Sequence, residues 1–217
     1  MRPTPTGKAS TLHSRCEERV SPFVNRKFDQ TAVVETILQL FAEHGDSEYG
    51  GEGVTQREHA LQAAYFAKKS GSSPDLIIAA LLHDIGHLLH DLPDDAPEAG
   101  IDDRHEELGH RWLTRWFPPE VVEPVHLHVA AKRYLCAAEP AYFHRLSEPS
   151  VVSLKLQGGP MSAEEAQAFR ASPHAEAAVL LRRWDDTAKV VGMDVPELAT
   201  YIPELEQVLS ASNQVQS

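Results

Sequence analysis

Between Leu76 and Leu89 the chain is apolar on nearly every side (Leu76, Ile77, Ile78, Leu81, Leu82, Ile85, Leu88, Leu89), yet this stretch carries His83, Asp84 and His87. A helix that is apolar all round belongs in the middle of a fold. A carboxylate there costs several kcal/mol unless it is paired or bound to a metal. A helix end with capping polar groups is the plainer alternative, but apolar residues continue on both sides of the pair. Other segments must therefore bring partners to Asp84. His83 and His87 stand four apart and share a helix face, with Asp84 one residue round from His83.

The flanking sequence supplies further helices. Asp29 can cap one with the stripe Val33, Val34, Ile37, Leu38 and Phe41, ended by Gly45. Gly45–Gly53 is Gly- and acid-rich and reads as a loop. Thr55-Gln56-Arg57-Glu58 is a capping box that places His59 in the first turn of the next helix. Ser73-Pro74 opens the apolar helix. Residues 91–103 read as a surface loop, followed by a helix from about Arg104 to Phe117 that stops at Pro118-Pro119. Another runs to about Tyr134, with Pro124 as a place to bend. Ser162-Ala163-Glu164-Glu165 is a second capping box, and Ser172-Pro173 opens a long helix through Trp184 and Asp185. One or two short helices near 196–210 close the chain. With no sustained period-2 pattern and no internal repeat, the class is all-α. Residues 1–28 read as a flexible leader, and 29–212 as a single domain.

Composition excludes several functions. A net charge of -12 over 217 residues argues against a nucleic-acid surface, which needs an excess of Lys and Arg. It leaves room for a locally basic pocket that takes a small anion. Cys16 and Cys136 are too few for a disulfide framework and read as ordinary thiols. No apolar run is long enough for a membrane span, and no signal-peptide core follows Met1, so the chain reads as cytoplasmic.

Twelve histidines matter only where helices bring them together. His59 precedes the His83-Asp84 pair. His105 or His110, then His126 or His128, then Asp185 or Asp186 follow it. Imidazole and carboxylate ligands suit iron, manganese or zinc, and one bridging carboxylate can bring two cations within about 3.5–4 Å.

The order H…HD…H…H…D resembles the HD-domain superfamily, specifically its two-metal members. The resemblance selects His105, which opens its helix ahead of Gly109, and Asp185, which follows an aromatic and stands four before Lys189. His128 is preferred to His126 because it shares a face with Lys132. It implies one metal on His59, His83, Asp84 and Asp185, with Asp84 bridging to a second on His105 and His128. His13, His44, His90, His144 and His174 are left as surface residues.

Most HD-domain proteins are phosphohydrolases, but further segments resemble the superfamily's mixed-valent diiron oxygenases. These are Tyr49-Gly-Gly-Glu52, the run Ala80–His87, His128-Val-Ala-Ala-Lys132, Ser150 and Ser153, Gln157-Gly-Gly-Pro160, and Arg182-Arg-Trp-Asp185. The tyrosine–glutamate pair, Lys132 and Gln157-Gly-Gly-Pro160 are similar to the organophosphonate-cleaving branch in particular. The resemblance covers roughly residues 30–190 and implies two Fe ions in an Fe(II)/Fe(III) pair, with O2 and a small organophosphonate as reactants. The carbon–phosphorus bond of a 1-hydroxy-2-(amino or N-methylated amino)ethylphosphonate would be cleaved to phosphate and glycine or glycine betaine. Lys132, Arg182, His87, Ser150 and Ser153 would bind the phosphonate, Glu52 the substrate ammonium, and Tyr49 an open iron position. Charge-assisted bonds from Lys and Arg suit a phosphonate dianion. The competing expectations are a phosphohydrolase for a phosphate monoester or nucleotide, and a non-catalytic module on the same scaffold.

Overall fold

The computed structural model describes residues 28–89 and 103–215. The expected leader thus lies outside the described residues except for Phe28, as do His13, Cys16, His90 and the loop up to residue 102. Phe28 itself packs on the core, and its backbone N–H and C=O meet the Asn213 side chain at 3.4 Å.

The fold is all-α; among the described residues, strand pairing amounts to one bridge between Glu48 and Thr55. Helix α1 (Gln30–His44) starts where Asp29 accepts from the N–H groups of Thr31 and Ala32, and buries Val33, Val34, Ile37 and Phe41. Helix α2 (Gln56–Lys69) starts from the expected capping box, with His59 in its first turn. Helix α3 (Pro74–Leu82) begins at the Ser73 cap, and every residue from Ile77 to Leu82 is buried. Helices α4 (His105–Leu113) and α5 (Pro119–Ala138) lie alongside; α5 keeps Pro124 inside it and runs a turn beyond the expected end.

The apolar stretch departs from expectation. It is not one helix to Leu89: α3 stops at Leu82, His83 is its C-cap, and Ile85–Leu89 forms a 3-10 turn. The helix-end alternative is correct about the backbone, although His83 and Asp84 remain buried. The break has a physical use. Neighbouring residues inside an α-helix point about 100° apart. At this helix end the His83 Nε2 and an Asp84 oxygen come within 3.2 Å.

Two short helices, α6 (Pro140–Phe143) and α7 (Glu148–Leu156), were not foreseen. Helix α8 (Ala163–Arg170) follows its capping box, and α9 (Ala175–Thr187) starts three residues after Ser172 because Ser172-Pro173 forms a turn. Helix α10 (Ile202–Val215) is longer than expected and packs on α1 and α3, with Leu205, Val208 and Leu209 in the core. Helix α3 is thereby enclosed by α2, α5, α9 and α10. Among the described residues no helix is long and apolar enough to cross a membrane.

The 3-10 turn crosses α4 at two glycines. A Cβ on Gly86 would lie 2.1 Å from the His105 carbonyl oxygen, and Gly109 sits against Ile85 and the Gly86 nitrogen. Gly86→Ala should cost about 1–3 kcal/mol of stability in urea unfolding and lower the bound metal, because His105 moves with its carbonyl. A variant of wild-type stability with full metal content would show that the close approach is dispensable.

Candidate metal centre

Five helices, α2, α3, α4, α5 and α9, direct six side chains into one buried space. His59 comes from the first turn of α2, His83 and Asp84 from the end of α3, His105 from the start of α4, His128 from the middle of α5 and Asp185 from α9. All six are buried.

They form two sets that share Asp84. In the first, His59 Nε2 lies 3.1 Å from His83 Nε2 and 3.4 Å from both Asp84 Oδ2 and Asp185 Oδ1. In the second, His105 Nε2 and His128 Nε2 are 3.1 Å apart and each 3.4 Å from Asp84 Oδ1. Donors bound to one cation at about 2.0–2.2 Å stand roughly 3.0–3.5 Å apart, so both sets have the spacing of a coordination sphere.

The tautomers support a cation in each. His59 Nδ1 donates to the Ala188 carbonyl at 2.8 Å, His83 to Ala80 at 2.9 Å and His128 to Val125 at 2.7 Å. His105 Nδ1 donates to Asp103 Oδ1 at 2.9 Å. These acceptors carry no hydrogen, so each Nδ1 holds the proton and each Nε2 presents a lone pair inward. Lone pairs 3.1 Å apart repel unless a proton or a metal lies between them. Both oxygens of Asp84 are buried without a hydrogen-bond partner, a costly arrangement that two cations would relieve. The residues present therefore fit a pair of metal ions.

The electrostatics agree. Burial acts to raise the Asp84 pKa, but His83, His59 and His105 hold it well below the ordinary carboxylate value. Asp185 is likewise lowered, chiefly by Arg182 working against burial. Burial pushes His128 down to about 3, leaving a neutral imidazole free to ligate. Burial would also lower His59, yet Asp185 and Asp84 push it up to about 9, the response of a ring surrounded by negative charge.

The open alternatives separate cleanly. His110 and His126 stack on each other with centroids 4.3 Å apart, and His110 Nε2 faces Glu123 at 3.3 Å. Asp186 accepts from Arg182 and Tyr142 instead of joining Asp185.

Around the centre, Tyr49 stacks on His59 with centroids 3.8 Å apart and points its hydroxyl at Asp185 Oδ1, 3.4 Å away. His87 stacks on His105 and sets its Nδ1 2.9 Å from Asp103 Oδ2. Lys132 is 3% exposed and donates to the Ser153 hydroxyl at 2.7 Å. Two expected substrate contacts are already engaged. Arg182 donates to Asp185 at 2.6 Å, to Asp186, and to the Tyr142 hydroxyl at 3.1 Å, so its guanidinium fixes the Asp185 carboxylate. Glu52 accepts from Lys189 at 2.6 Å and from Ser147, and Lys189 also reaches Ser150 at 3.0 Å.

Asp103, Ser147 and Tyr142 carry no motif of their own in the sequence, Asp186 stands there only as the alternative to Asp185, and Lys189 only as a spacing mark. Asp103 does carry a signal, a carboxylate two residues before His105, but among the polar residues of 91–103 nothing in the sequence sets it apart. Asp103→Asn should weaken the metal held by His105 and His128 by about 10–100-fold, read from metal content after graded chelation. An unchanged profile would mean that Asp103 does not orient His105.

Lys132 gives a second expectation. Burial, reinforced by the Arg182 charge, lowers its pKa to about 7. A folded value below the unfolded one means the protonated lysine costs stability below about pH 7, and the cost fades as pH rises toward the unfolded value near 10.5. In chelator-treated protein, Lys132→Met should raise the melting temperature by several degrees at pH 6, with the advantage shrinking toward pH 10. A gain independent of pH would refute the burial argument.

Comparison with known proteins adds three relatives and a family. The HD domain family matches residues 57–188. Hydroxymethylphosphonate dioxygenase of Gimesia maris is 48% identical over 180 residues, covering 82% of this chain and 89% of that protein. The 1-hydroxy-2-(trimethylamino)ethylphosphonate dioxygenase (glycine-betaine-forming) of Leisingera caerulea is 42% identical over 183 residues, covering 84% and 93%. An uncharacterized protein of Acanthamoeba polyphaga mimivirus is 35% identical over 181 residues, covering 82% and 83%.

Proposed function

The chain belongs to the HD-domain family, in the branch of the organophosphonate oxygenases, and from that premise we propose that it is an iron-dependent dioxygenase that cleaves the carbon–phosphorus bond of a small 1-hydroxyphosphonate. The observation that carries the proposal is Asp84, whose two oxygens face two separate sets of imidazoles. Two iron ions, an Fe(II)/Fe(III) pair, would be held by His59, His83, Asp84 and Asp185 on one side and Asp84, His105 and His128 on the other. When bound, they supply a place for the substrate's oxygens and for O2, and the electrons that start the oxidation.

The protein's own groups do the rest. Lys132, with Ser153 beside it, offers a buried cation to a phosphonate oxygen, where a charge-assisted bond is strong. His87, held by Asp103 against the His105 ring, is placed to donate to a second oxygen. Tyr49 covers the His59 side of the centre and must swing away as substrate enters. Arg182 holds Asp185 in place through the turnover.

Glu52 bears on the substituent at C1. Its carboxylate is taken up by Lys189 and Ser147, leaving no unbalanced charge for an ammonium. This favours hydroxymethylphosphonate, the substrate in the name of the relative at 48% identity. With O2 as the sole oxidant it yields phosphate and formate, one oxygen atom entering each product. The second reading is an amine-bearing or N-methylated 1-hydroxyethylphosphonate, giving glycine or glycine betaine. It is favoured by the acid itself at position 52, three residues from Tyr49, and requires Glu52 to exchange Lys189 for the substrate.

The test is phosphate release by iron-loaded protein under oxygen with hydroxymethylphosphonate, 2-amino-1-hydroxyethylphosphonate and its trimethylated analogue. The first should show kcat/KM at least about tenfold above the others, equivalent to roughly 1.4 kcal/mol, with one O2 consumed per phosphate. Inactivity toward all three would reject the proposal, and oxygen-independent release from phosphate esters would replace it with a phosphohydrolase.

A further inference from the structure

The two histidines that the centre leaves aside form a group of their own. His110 lies in the last turn of α4, and Glu123 and His126 stand one turn apart on α5. Residues three apart on a helix share a face, so the Glu-x-x-His pair presents a carboxylate and an imidazole side by side toward α4. One ligand atom from each of the three residues lies within 4.8 Å of the others, and all three side chains are half-buried. His110 Nε2 already faces Glu123 Oε1 at 3.3 Å, and the imidazoles lie nearly parallel, 25° apart. Glu106 and Glu107, on the first turn of α4, add negative charge that is felt at His126. None of these residues takes part in the buried centre, although α4 and α5 also carry its ligands His105 and His128.

We propose that His110, Glu123 and His126 bind a third cation, a borderline divalent transition metal such as Zn²⁺, with water completing the coordination. Two imidazoles and one carboxylate make a ligand set that suits zinc. The ligand atoms already lie within 4.8 Å of one another, so coordination requires only side-chain adjustment at these half-buried positions. The bound ion clamps α4 to α5 and so steadies the spacing between His105 and His128.

The experiment is zinc titration of the iron-loaded full chain, with zinc and iron counted by elemental analysis after buffer exchange. One zinc should bind per chain with no loss of iron, and the melting temperature should rise by several degrees, as binding to the folded state requires. His110→Ala/His126→Ala should lose this zinc while keeping its iron. Glu123→Gln, a milder change that serves if the double variant fails to fold, should weaken zinc binding by about tenfold or more. Zinc uptake matched by iron release, or one equivalent bound equally by wild type and Glu123→Gln, would overturn the proposal. Because nothing here is read from turnover, it stands or falls separately from the proposed oxygenase activity.

Discussion

Asp84 is a carboxylate 6% exposed, inside a helical core, with neither oxygen hydrogen-bonded. Left that way it would cost more than most single side chains contribute to a domain's stability. Its surroundings make sense only as a frame for two positive charges, one against each oxygen. From this follow the break in the backbone after Leu82, the arrival of imidazoles from three other helices, and the Asp185 carboxylate brought in from α9. A monodentate partner such as a lysine could satisfy one oxygen. Four imidazole lone pairs aimed at the same carboxylate cannot be satisfied by protein donors.

What the fold contributes is ring orientation. Three of the four imidazoles that would hold the metals are anchored by backbone carbonyls, those of Ala80, Val125 and Ala188, and carbonyl positions are set by helix geometry. The His83 and His128 anchors are the carbonyls three residues earlier in sequence, so helix and ligand are built as one unit. The His59 anchor lies just past α9, which couples Asp185 and His59 through the same short segment. His105 differs, because its anchor is the side chain of Asp103, outside any helix. The second cation set therefore has the softer support, and the α4–α5 packing matters most there.

The sequence made the centre legible for a physical reason. Polar groups in an apolar stretch need partners, and the capping boxes at Thr55 and Ser162 fixed where helices begin. What it hid was of two kinds. The end of α3 was invisible because apolar periodicity does not register a shift from α to 3-10, and Gly86 is small for the sake of a carbonyl far along the chain. Helices α6 and α7 were missed because burial there is slight: only Tyr142, Ser150 and Leu154 are buried along them. Nor does the sequence show that Arg182 and Glu52 have partners of their own, Asp185 and Asp186 for the one and Lys189 and Ser147 for the other. A sequence shows that charges are present but not which of them are already matched.

That matching decides how the site can receive an anion. Arg182 is saturated by Asp185, Asp186 and Tyr142; burial acts against its charge, but the two carboxylates outweigh it and leave the guanidinium firmly charged and firmly held. Lys189 is joined to Glu52. Lys132, among the described residues, forms no ion pair and is met by a neutral hydroxyl. A buried cation with so weak a partner is unfavourable for folding and favourable for binding. An incoming dianion restores the charge balance that the protein leaves incomplete, beside the space where the cation pair would lie. The same reasoning separates this pocket from a surface that attracts anions by bulk charge, since the chain as a whole carries a net charge of -12. On the proposed reading, selectivity for a small phosphonate rests on this local imbalance and not on the chain's overall charge.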